Sequence, residues 1–199
     1  MFNDCVFLGC TKLKEITIPT TVTNIGKFAF SGCTSLVKVE ISPSVLTIDM
    51  YAFKGCTALE MITLPPNVTS IGGYAFEECT SLQQVVYLSK VTKIQPYTFS
   101  KCTALKEITI PSHVTLIDKY AFNCCSSITK ITIPPSVKHI GTYAFTGCAS
   151  VEKMIIPQHV KQVGYYTFVD CTSLKNLVLP KDLNINLLGI GPECAVTRI

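Results

Sequence analysis

The chain has 199 residues, of which 48% are hydrophobic and 15% charged, with no tryptophan and a formal net charge of +4. So many apolar residues and so few charges exclude an intrinsically disordered chain. No run approaches the ~18 apolar residues of a membrane-spanning helix, and no basic segment followed by an apolar one marks a secretion signal.

Cysteine occurs at positions 10, 33, 56, 79, 102, 125, 148, 171 and 194, nine times at a spacing of 23. A period of this length is the mark of a solenoid, in which each coil completes its core only against its neighbours. Residues 1–10 form the tail of a repeat, with Phe7 equivalent to Phe30, and a start in mid-repeat implies a segment of a longer protein. The unbroken period predicts one domain over 1–199, with a partial repeat at 1–10 and a degenerate final one from 183.

Within each unit, Leu13 to Ile18 predicts a short strand with Ile16 and Ile18 inward and Glu15 and Thr17 outward. The inward pair recurs as Val39 and Ile41, Ile62 and Leu64, Val85 and Tyr87, and onward to Leu177 and Leu179. Proline follows at 19, 65, 111, 134, 157 and 180 and ends the strand, having no N–H for the ladder. Val22 and Ile25 then mark a second, shorter extended segment. The next position, Gly26, Asp49, Gly72, Gln95, Asp118, Gly141 and Gly164, is where the chain is expected to bend. From the aromatic two residues later (Phe28, Tyr51, Tyr74, Tyr97, Tyr120, Tyr143, Tyr166) to the cysteine, one helical turn is predicted, too short to stand alone. Phe30, Phe53, Phe76, Phe99, Phe122, Phe145 and Phe168 form the deeper file.

The nine periodic cysteines lie about 4.8 Å apart from coil to coil, within reach of disulfide bonding for their Cα atoms. Their side chains point the same way, which favours a buried column of free thiols over pairing. Cys5 and Cys124 fall outside the column and are the thiols expected to react.

Catalytic chemistry is missing from the pattern. The sequence carries no H-E-x-x-H, G-x-S-x-G, Walker or G-x-G-x-x-G motif. His113 and His159 share one repeat position two coils apart, roughly 10 Å, too far to share an ion. His139 lies farther along its coil. Glu77 and Glu78, placed on a turn, make no recognisable acid–base pair, and no metal, cofactor or catalytic residue is expected. Residues 1–85 carry five lysines against seven acids, whereas 86–168 carry nine against three. A single arginine, Arg198, and the lack of a basic–aromatic cluster speak against nucleic acid. Asn67-Val68-Thr69 is a glycosylation sequon.

The solvent-facing strand positions are the candidate contact surface. One column is Glu15, Lys38, Met61, Gln84, Glu107, Lys130, Lys153 and Asn176. The other is Thr17, Glu40, Thr63, Val86, Thr109, Thr132, Ile155 and Val178. Solenoids bind partners on such extended faces, and Met61, Val86, Ile155 and Val178 are expected to be exposed apolar contacts there.

The units CTSLVKVEISPSVLTIDMYAFKGC and CSSITKITIPPSVKHIGTYAFTGC resemble the BspA-like class of leucine-rich repeat, whose pattern approximates L-x-x-I-x-I-P-x-x-V-x-x-I-G-x-x-A-F-x-x-C. The match runs over about residues 5–183. The resemblance implies a right-handed curved α/β repeat solenoid of 23-residue coils, with one parallel sheet, short opposing extended segments and helical turns. It further implies a non-enzymatic protein-binding or adhesion module of a surface or secreted protein. The partner would be a protein, such as a host-surface or extracellular-matrix protein, with no cofactor and no insertion into the membrane. Departures stand at Tyr87, Leu88, Gln95, Thr98 and Thr167, and after Leu183.

Overall fold

The computed structural model describes residues 2–87 and 90–199; Leu88 lies outside them. Every coil starts on a strand of three or four residues: Glu15–Thr17 (β1), Lys38–Glu40 (β3), Met61–Leu64 (β5), Gln84–Tyr87 (β7), Glu107–Thr109 (β9), Lys130–Thr132 (β11), Lys153–Ile155 (β13) and Asn176–Leu179 (β15). Each of the first seven is followed by a two-residue strand: Asn24–Ile25 (β2), Thr47–Ile48 (β4), Ser70–Ile71 (β6), Lys93–Ile94 (β8), Leu116–Ile117 (β10), His139–Ile140 (β12) and Gln162–Val163 (β14). Coils are numbered one to eight by their opening strand. Ala195–Arg198 (β16) ends the chain.

Both strand sets are parallel. Glu15 pairs with Lys38, Lys130 with Glu107 and Lys153 with Asn176, each at the 23-residue period, so equivalent side chains stack. The molecule is thus a parallel β-solenoid of about eight turns. The single sheet expected is in fact two ladders, because the short segments pair with one another as β2-β4-β6 and β8-β10-β12-β14. Strands end before their prolines, as β5 does at Leu64 and β15 at Leu179.

The helical turn expected between aromatic and cysteine is absent, and no helix occurs among the described residues. Three β-turns follow one another instead, closed in coil 1 by Ala29 N–H to Gly26 C=O (3.2 Å), Ser31 to Phe28 (3.1 Å) and Cys33 to Phe30 (3.1 Å). The alternate N–H groups are taken by the next coil: Phe28 donates to Met50 C=O, Phe30 to Ala52 and Gly32 to Lys54. An α-helix would keep those donors for its own carbonyls four residues back. Inter-coil bonding wins.

The bend also moves. Positive φ falls on the aromatic, from +55° at Phe28 to +61° at Tyr51 and Tyr74, and again four residues later, at Gly32, Glu78, Lys101, Cys124 or Asp170. A left-handed aromatic is uncommon and costs on the order of 1–3 kcal/mol. Stacking offsets it. The seven rings from Phe28 to Tyr166 lie with centroids 4.4–5.2 Å apart, each pair worth about 0.5–1.5 kcal/mol beyond its buried area. Glycine two residues earlier serves close approach instead: a Cβ on Gly72 or Gly141 would overlap the backbone of Met50 or Lys119 in the preceding coil.

The Phe30-to-Phe168 file is buried at the centre, its rings stacked at 5.1–6.1 Å. Thr98 and Thr167 occur where alanine precedes phenylalanine elsewhere, and they fit without distortion. Each hydroxyl donates to the carbonyl that opens its own turn, Gln95 (2.8 Å) and Gly164 (2.6 Å).

Cysteines 33, 56, 79, 102, 125, 148 and 171 are buried free thiols. Each donates its S–H to the carbonyl of the core phenylalanine one coil earlier, from Cys33 to Phe7 (3.1 Å) through Cys171 to Phe145 (3.2 Å). A small side chain with a donor suits this position, because the carbonyl has a lone pair left beyond its turn bond. The column stops short of both ends: Cys10 is exposed, and Cys194 is half-buried with its thiol directed to Ala195 C=O. Cys194 keeps the sequence period but leaves the column because β16 pairs with β15 at a spacing of 19, Asn176 against Ala195.

Candidate functional site

Alternation along the long strands sends every second side chain outward. Of the sixteen residues expected on this face, fourteen are exposed: Glu15, Thr17, Lys38, Glu40, Met61, Thr63, Gln84, Glu107, Thr109, Lys130, Thr132, Lys153, Ile155 and Asn176. Val86 and Val178, expected as exposed apolar contacts, are half-buried. Their four-residue strands pair along their whole length, with Thr63 and with both Ile155 and Thr197, so neighbouring side chains cover them.

The long-strand ladder is hydrogen-bonded in four stretches, β1-β3, β5-β7, β9-β11 and β13-β15-β16. A shallow groove lies on each of the three intervals between them. One of 560 Å³ runs between β3 and β5 beside Lys38, Glu40 and Met61. Another, of 450 Å³, separates β7 from β9 beside Tyr87 and His113. The third, also 450 Å³, runs between β11 and β13 and is walled by Lys130, Thr132, Lys153 and Ile155. Register periodicity gave no hint of these interruptions.

The electrostatics differ along the face. In coil 2, Lys38 Nζ lies 2.7 Å from Glu40, whose carboxylate also accepts from Thr17 Oγ1 (3.1 Å). The shared hydrogen bond raises the Lys38 pKa and lowers that of Glu40. Lys130 and Lys153, on neighbouring strands, have no ion-pair partner among the described residues. Ile155, 47% exposed, stands beside them.

On the opposite turns, Glu77 is buried and 2.8 Å from Lys54, which its hydrogen bond holds above the ordinary lysine pKa. Glu78 pairs with Lys101 on the surface at 2.7 Å, and that bond lowers the carboxyl pKa. Tyr87 packs edge-on to Phe99, and its buried hydroxyl has no hydrogen-bond partner among the described residues. No group of three His, Cys, Asp or Glu side chains converges as a metal site among the described residues, and those residues include no helix long and apolar enough to cross a membrane.

The family model for the BspA-type leucine-rich repeat region, in six copies, matches residues 1–106 and 92–189. The chain belongs to this repeat family. Among solved structures, a leucine-rich repeat protein of Bacteroides ovatus is 29% identical over 98% of this chain and 54% of its own, with a TM-score of 0.72. A leucine-rich repeat protein of Eubacterium ventriosum is 29% identical over 88% of this chain and 47% of its own, at 0.76. The T. pallidum leucine-rich repeat protein is 26% identical over 86% of this chain and 70% of its own, at 0.58. The chain therefore spans about half the length of the first two. No curated protein matches it.

Proposed function

We propose that this BspA-type domain is a non-enzymatic protein-binding module for adhesion at a cell surface, a single unit of a larger surface protein. Its partner is an acidic protein of a host surface or extracellular matrix. The observation that supports this reading best is the groove between β11 and β13, where two lysines free of ion pairs flank an exposed isoleucine. An apolar anchor beside lysines that form no ion pair is a make-up that steers and then holds an acidic partner.

The test is capture of host-surface and matrix proteins by the domain, repeated with Lys130→Glu/Lys153→Glu. The folded double variant should lose most of the capture, and the remainder should depend less on salt. Undiminished capture would remove the contact from this groove. Surface labelling of cells producing the parent protein tests the location, and a parent chain inaccessible to the label would overturn it.

A further inference from the structure

The short-strand ladder carries a second surface, which adjoins the long-strand face at His113. In coils 1–3 its outward positions are neutral: Thr21, Ser44 and Asn67 in one column, Thr23, Leu46 and Thr69 in the next, Asn24, Thr47 and Ser70 in the third. In coils 4–7 the same columns become Lys90, His113, Ser136 and His159; Thr92, Thr115, Lys138 and Lys161; and Lys93, Leu116, His139 and Gln162. Four lysines and all three histidines of the protein stand there. All seven are exposed except Lys138, which is half-buried.

Backbone pairing fixes their order. Lys161 N–H donates to Lys138 C=O (2.8 Å), Lys138 N–H to Thr115 C=O (2.8 Å) and Thr115 N–H to Thr92 C=O (2.8 Å), so one column is continuous over four coils. Lys93, Leu116, His139 and Gln162 are likewise in register. None of the four lysines has an ion-pair partner among the described residues. The columns hold no acid until Asp182 in coil 8. Asp118, farther along coil 5, accepts from the Lys119 N–H (2.7 Å). Three coil rises of about 4.8 Å give the strip a length of about 14 Å.

We propose that this strip binds a linear anionic polysaccharide, sulfated or carboxylated. Lysines in coils 4, 6 and 7, with His113 between them in coil 5, suit a polymer whose charges recur along its length. Hydroxyl and amide groups lie among the cations: Thr92, Thr115, Ser136 and Gln162. The Thr115 and Ser136 hydroxyls donate to Thr92 C=O (3.2 Å) and Val114 C=O (2.6 Å), leaving oxygen lone pairs toward sugar hydroxyls. Nucleic acid fits less well. The strip has lysine point charges without an arginine fork for phosphate, no aromatic platform among the three columns for stacking bases, and no projecting element to enter a groove.

The test measures retention of the whole domain on immobilised dextran sulfate, with uncharged dextran as reference. Lys93→Gln/Lys138→Gln/Lys161→Gln should weaken retention about tenfold and flatten its salt dependence, while Lys130→Gln/Lys153→Gln on the long-strand face should change it by less than about twofold. On the parent protein, bound dextran sulfate should shield Lys93, Lys138 and Lys161 from acetylation and leave Lys130 and Lys153 reactive, a readout that needs no variant to fold. Equal retention of the triple variant, or shielding of the long-strand lysines instead, would overturn the proposal. So would displacement of the polysaccharide by duplex DNA at a lower concentration of charge.

Discussion

Coils 3 to 7 and the last coil are made of the same backbone and solve the problem of pairing in opposite ways. In the middle, the core files meet their equivalents 23 residues away: phenylalanine stacks on phenylalanine, and a thiol reaches the preceding coil's carbonyl. From Leu183 the repeat degenerates. The chain shortens its return to a spacing of 19 and closes with β16, whose Ala195–Thr197 stretch is exposed. Arg198, the sole arginine, turns back and donates to the carbonyls of Pro180 (2.9 Å), Lys181 (3.2 Å) and Leu183 (2.6 Å). One irregular side chain does at the end what repetition does elsewhere. A repeat fold draws its stability from neighbours, so an irregular coil needs contacts of its own.

The largest expected effect sharpens that contrast. Phe99 is fully buried between Phe76 and Phe122, each 5.6 Å away. Phe99→Ala should cost about 3–5 kcal/mol through lost contacts and the cavity left behind. Phe168 has a ring neighbour in the file on one side only, at 6.1 Å, so Phe168→Ala should cost less. Chemical denaturation of the two variants compares them directly, and equal losses would break the distinction between middle and end.

Alkaline pH probes the middle coils through their thiols. Burial pushes Cys79 and Cys171 up to about 12, from an ordinary 9.0. Above pH 9 the unfolded chain releases these protons while the folded chain keeps them, so ionisation favours unfolding. The thiols' contribution should be constant from neutral pH to about 9 and fall progressively between 9 and 12, visible as a falling melting temperature. An alkylating reagent at neutral pH should meanwhile modify the exposed Cys5, Cys10 and Cys124 and spare Cys102.

Arg198→Ala tests the end. Loss of three charge-assisted bonds should cost about 1–3 kcal/mol, and amide exchange should accelerate in residues 195–198 while coils 3–6 keep their protection. Uniform acceleration along the chain would show that the cap holds the whole solenoid. The smallest effect belongs to the exposed Glu78–Lys101 pair. Glu78→Gln should change stability by less than about 0.5 kcal/mol, since solvent screens both charges.

The columns were legible because a fixed period reports identity of environment. Ile25, Phe30 and Cys33 are buried for the same reason as their equivalents in coils 2 to 6, and nine cysteines in register imply stacked coils before any contact is known. Fourteen of the sixteen face residues followed from alternation alone. What period cannot report is which of two local solutions the backbone takes. The stretch from Phe28 to Cys33 looked like a helical turn, yet donors such as Phe30 N–H are taken by the next coil. Nor does periodicity show where a ladder is interrupted, so the groove between β11 and β13 was hidden. Arg198 was hidden for a further reason: its partners lie 15–18 residues back in a segment with no counterpart elsewhere.

The ring stack from Phe28 to Tyr166 gives the molecule an internal strain gauge. With no tryptophan to dominate its near-ultraviolet spectrum, the protein reports through tyrosine and phenylalanine. Seven rings held 4.4–5.2 Å apart couple their optical transitions. Bending or stretching the solenoid changes that separation before any coil comes apart. Near-ultraviolet circular dichroism should therefore register a deformation of the solenoid as a change in optical activity.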